Sequence, residues 1–151
     1  MRILGLDVGE KRIGVAKVDS NVRIAVPVGF ILRDGSEWLK IGRLLEDLGV
    51  ERLVLGLPRN NSGVETKQTE YVRAFAKELL EHFPETKIEF EDESLTSVEA
   101  ETRLKERGRA FEKGEIDAEA ATIILQDFLE RHPDLGNRGF GADLGGGDGN
   151  G

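Results

Sequence analysis

Cysteine is absent from this 151-residue chain, which removes disulfides, thiolate nucleophiles and cysteine-based zinc sites together. Imidazole is scarce, with only His82 and His132, so any bound metal is expected to be held by oxygen. That ligand set suits Mg²⁺, Mn²⁺ or Ca²⁺ rather than zinc. Aromatic residues make up 6%, which argues against stacking of bases as a binding mode. A basic excess is missing too: the formal net charge of −8 argues against nucleic-acid binding through bulk electrostatics, but leaves room for local contacts. No signal-peptide pattern opens the chain and no apolar run is long enough to span a bilayer. The expectation is a cytoplasmic protein without a membrane partner.

What is present fits one soluble domain, with 38% hydrophobic and 33% charged residues, long enough to bury a core without staples. Arg2 to Val8 is nearly all apolar, as in a strand covered on both faces. Gly9 to Lys11 connects it tightly to Arg12–Val18, predicting a hairpin. A third strand is expected in Ile24–Leu32, at a sheet edge or with a bulge because of Pro27. Trp38, Ile41, Leu44, Leu45 and Leu48 have helical spacing, ending near Gly49. Arg52–Leu57 reads as a buried strand. A second helix carries the stripe Val72, Phe75, Ala76, Leu79 and Leu80. Lys87–Glu93 alternates Ile88 and Phe90 with charges, as in a half-covered strand with a solvated acidic face. Thr96 and Glu99 form a capping box for a third helix, and a final helix is expected from about Asp117 to Glu130. The order predicts an α/β protein: a mixed five-stranded sheet flanked by helices. From Pro133 the chain holds eight of its nineteen glycines, so residues 132–151 are expected to be a disordered tail behind a domain of residues 1–131.

Three carboxylates fall where strands or helices meet the open end of such a sheet. Asp7 ends the first strand; it is either an Asx-turn acceptor or a ligand. Glu93 ends the last strand, where Glu89, Glu91 and Asp92 make solvation the simpler account. Asp117 is a favoured N-cap for the last helix, yet it shares a phase with Ala120, Ala121, Ile124, Leu125 and Phe128, at the head of the buried stripe. Three carboxylates brought together would repel one another. Two divalent cations roughly 4 Å apart would relieve that repulsion and create a phosphoryl-transfer site.

The segments LDVGEKRIGVA, LVLGLPRNNSG, FEDESLTSVEA and KGEIDAEAATIILQDFL resemble, in order and spacing, the YqgF family of RuvC-like proteins, over about Met1 to Glu130. The resemblance implies an RNase H-like fold and a nuclease. The family is described both in Holliday junction resolution and in 5′-end processing of precursor 16S ribosomal RNA. Its motif acids fall on Asp7, Glu93 and Asp117, which implies that these three are catalytic and bind Mg²⁺ or Mn²⁺. Ser94 stands where the family usually carries arginine, removing a bidentate phosphate clamp. Lys11, Arg12, Arg59, Arg107 and Arg109 are the candidates for contacting substrate phosphates. The last two lie in RLKERGRAFEK, a segment of net charge +3 whose simpler account is a solvated helix end.

Ribosomal precursor is the expected substrate rather than branched DNA, because one active centre in a monomer does not cut a four-way junction symmetrically. The ribosome is a candidate partner. A non-catalytic nucleic-acid-binding or ribosome-associated module is the alternative outside catalysis. A phosphotransferase of the actin and sugar-kinase type would use Asp7, Gly9 and Gly14 as a phosphate loop, but requires a second such domain.

Overall fold

The computed structural model describes residues 1–59, 62–93, 96–108 and 110–135. Its elements run β1 (Arg2–Val8), β2 (Arg12–Asp19), β3 (Val26–Leu32), α1 (Glu37–Asp47), β4 (Arg52–Pro58), α2 (Lys67–His82), β5 (Lys87–Glu93), α3 (Thr96–Glu106) and α4 (Lys113–Arg131). The strands form one mixed sheet in the order β3-β2-β1-β4-β5. β1, β2 and β3 pair antiparallel, and β1, β4 and β5 pair parallel, so the carboxyl ends of those three strands lie at one edge. β3 is an outer strand, and its register shifts opposite Val15/Ala16, both as Pro27 suggests.

Alternation along the strands sorts the core into two layers. Leu4, Leu6, Val8, Leu53, Leu55 and Leu57 face α1 and α2, where Ile41, Val72, Phe75 and Leu79 are buried; Leu80 of the expected stripe is exposed. Ile3, Ala16, Val18 and Val54 face α4 and its Ala121, Ile124, Leu125 and Phe128. Each large side chain of that stripe contributes roughly 1.5–3 kcal/mol by leaving water. α3 packs on α4 through Ala100, Ala120 and Ile123. Among the described residues no helix is long and apolar enough to cross a membrane.

Three expectations need correction. The last helix starts at Lys113 behind Glu112, so Asp117 lies in its second turn and is not its N-cap. A Cβ on Gly114 would lie 2.3 Å from the Phe30 ring, so the close approach of β3 favours glycine inside the first turn of this helix. On β5 the expected faces are only half right. Ile88 packs on the core, whereas Phe90 is 37% exposed beneath Arg73 and Glu91 is 3% exposed on the α4 face. The chain also stays packed beyond 131: Leu135 is buried in the α4 layer, and Arg23 donates to the carbonyls of Leu129 and Leu135. The remainder of the expected tail, Ser94 and the capping side chain of Thr96 fall outside the described residues.

Candidate active site

Period-two alternation puts Ile3, Gly5 and Asp7 of β1 on the α4 face. Asp7 is paired in the ladder with Gly14 of β2. The backbone of α4 lies directly on Gly14, where an added Cβ would sit 1.9 Å from the carbonyl oxygen of Asp117. A missing side chain on β2 therefore seats the second turn of α4 beside the end of β1, next to Asp7. Arg12, two residues before Gly14 and on the same face, donates from Nε to Asp117 Oδ2 at 2.6 Å.

The consequence is electrostatic. Burial, and after it the neighbouring Asp117 carboxylate, push the Asp7 carboxyl up to about 7. Among the described residues no cationic side chain pairs with Asp7. An oxygen-only pair of carboxylates, one of them penalised for its charge, has the donor chemistry that a hard divalent cation takes.

Glu93 ends β5 opposite Pro58 of β4, and alternation places it with Glu89 and Glu91 on the α4 face. It lies at the same sheet edge as Asp7, but β4 separates the two strands, about 10 Å at the backbone. Among the described residues no three His, Asp or Glu side chains are grouped closely enough to hold a metal. The structure thus brings Asp7 and Asp117 together and leaves Glu93 on the same face, across one strand.

The basic candidates separate in the same way. Lys11 is exposed in the β1–β2 turn. Arg59 follows β4, with Nε 3.4 Å from Asp92 and Nη2 3.6 Å from Glu65. Arg107 and Arg103 both reach Glu119 of α4, at 3.0 and 3.2 Å, and that carboxylate is 3% exposed. Their role here is to fasten α3 to α4. Arg109 lies outside the described residues.

Sequence reasoning missed Arg33. Its Nη1 donates to the Gly9 carbonyl at 3.2 Å and to Tyr71 Oη at 2.6 Å, its Nε to Glu37 at 3.0 Å, and its backbone N–H to the Lys11 carbonyl at 2.9 Å. It fixes the turn that follows Asp7 against α1 and α2. The i,i+4 pairing of Arg33 with Glu37 was the legible signal; the Gly9 and Tyr71 contacts had none.

A family model described as "RuvX: Holliday junction resolvase" matches residues 1–131. The chain is 40% identical over 131 residues to a protein of Sulfurihydrogenibium sp. named "Putative pre-16S rRNA nuclease", covering 86% of this chain and 90% of that one. It is 44% identical over 133 residues to a Synechocystis sp. protein of the same name, covering 84% and 86%. Among solved structures, the RuvC of T. thermophilus in complex with a Holliday junction substrate superposes with a TM-score of 0.56 at 15% identity, over 89% of this chain and 98% of that one. At that identity the likeness shows the shared RNase H-like fold alone.

Proposed function

This chain belongs to the RuvX family, and on that premise we propose that it is a divalent-cation-dependent endonuclease whose centre is built from Asp7, Asp117 and Glu93 and whose substrate is the 5′ region of precursor 16S ribosomal RNA. The observation that carries the reading is the carboxylate pair at the end of β1, where burial and a like charge leave Asp7 poorly compensated. When bound there, Mg²⁺ or Mn²⁺ supplies the positive charge that phosphodiester hydrolysis needs at the attacking and leaving oxygens. Asp7 and Asp117 would hold it, with Glu93 the third carboxylate on the same face, one strand away at the end of β5.

The remaining residues bind and orient. Lys11 lies in the turn immediately after β1, and Arg59 follows β4 one strand away, so both can draw a phosphate backbone across the strand ends. Arg33 keeps the β1–β2 turn in place, and Gly14 keeps α4 seated so that Asp117 stays beside Asp7. The reading places the protein in the cytoplasm, acting as a monomer on ribosomal precursors.

The family description favours a second substrate, branched DNA. Incubating the protein with Mn²⁺ on labelled ribosomal precursor and, in parallel, on a synthetic four-way junction decides between them. Cleavage of the precursor that is lost in EDTA and in Asp7→Asn supports the proposal. Cutting of the junction alone reassigns the substrate, and turnover of neither leaves a binding module.

A further inference from the structure

Asp117 is already occupied. Arg12 Nε reaches its Oδ2 at 2.6 Å, and the two side chains are 28% and 21% exposed, close enough to the surface to exchange partners. The backbone of Arg12 is fixed, because its carbonyl accepts the Gly9 N–H at 2.9 Å and closes the hairpin turn. Movement of the guanidinium is therefore a matter of side-chain rotation. It sits at the same strand edge as Lys11 and, one strand beyond β1, Arg59. A guanidinium binds a phosphate with the same fork geometry that it uses for a carboxylate.

We propose that Arg12 is a displaceable internal cation: it neutralises Asp117 while the centre is empty, and it passes to a substrate phosphate when a divalent cation takes Asp117. The inference rests on the nuclease reading above and adds a positioning residue to it. The exchange conserves charge-assisted bonds, since the Arg12–Asp117 contact is replaced by Arg12–phosphate and cation–Asp117 contacts. It also imposes a coupling. A cation alone must compete with the guanidinium, whereas a cation arriving with nucleic acid does not, so each ligand raises the affinity for the other by the same factor.

Mn²⁺ titration calorimetry with and without a short oligoribonucleotide carrying non-hydrolysable methylenephosphonate linkages measures this directly. In the wild-type protein the oligonucleotide is expected to raise Mn²⁺ affinity roughly tenfold, the size of one charge-assisted hydrogen bond partly screened by solvent. Arg12→Gln should bind Mn²⁺ roughly tenfold more tightly without the oligonucleotide and lose the coupling. Arg12→Lys, which keeps the charge without the fork, should fall between the two, and it serves alone if Arg12→Gln does not give a native melting transition in EDTA. Unchanged or weaker Mn²⁺ binding in both variants, with the coupling intact, overturns the role of Arg12 and leaves the nuclease reading standing. Absence of Mn²⁺ binding in the wild type, or binding that survives Asp7→Asn unchanged, overturns both.

Discussion

Replacing Asp7 by asparagine should stabilise the metal-free protein, and by an amount that grows with pH. The folded chain holds the Asp7 proton up to about pH 7, whereas the unfolded chain releases it near 3.8. Between those values the folded state binds more protons than the unfolded one, so stability falls as pH rises, and the full cost is present above about 7. At about 1.36 kcal/mol per pH unit the shift corresponds to about 4 kcal/mol. Asp7 is partly exposed, so solvent screening brings the measurable gain to roughly 2–4 kcal/mol at pH 8, and to less than half of that at pH 5. Urea denaturation in EDTA at both pH values, for wild type and Asp7→Asn, gives the comparison. Added Mn²⁺ should then stabilise the wild type and leave the variant unchanged. A variant less stable than wild type at pH 8 would refute the reasoning: Asp7 would be an acceptor needed by its own turn rather than a poorly compensated charge.

Gly14→Ala should cost about 3 kcal/mol and abolish cleavage, because its Cβ meets the Asp117 carbonyl and α4 must move; a melting temperature within a degree or so of wild type contradicts that seating. Asp117→Asn and Asp117→Ala should both lose cleavage and differ little in stability, since Asp117 lies in the second turn of α4; a loss of about 1 kcal/mol confined to the alanine variant would restore the capping role. Arg131→Ala should cost about 1–2 kcal/mol at pH 8 and little near about pH 4. Burial already pushes the Glu91 carboxyl up, the exposed Arg131 guanidinium 2.8 Å away opposes this, and the unpartnered carboxylate destabilises the fold only where it is ionised. Equal losses at both pH values, read from denaturation curves, would mean that Arg131 acts through packing.

Local chemistry determined much of this protein. The apolar runs at β1 and β4, the short Gly9–Lys11 connection and the alternation of side chains suffice to write a mixed sheet and to place Asp7 at the end of a central strand. The phase of Asp117 with Ala121, Ile124 and Leu125 likewise put its carboxylate on the buried side of the last helix. Both are consequences of periods of 2 and 3.6 residues, which any stretch of chain carries within itself. Contacts between distant segments decided the rest. Glycine suits position 114, in the first turn of α4, because the Phe30 ring, far away in sequence, occupies the space a side chain there would need. Glu91 is buried rather than solvated because α4 brings Arg131 to β5. Arg12 and Arg107 look alike in sequence as free cations, yet one is held by Asp117 and the other by Glu119. A charge takes its partner from what the fold sets within a few ångströms, because Coulomb attraction and desolvation depend on spatial distance and burial rather than on separation along the chain.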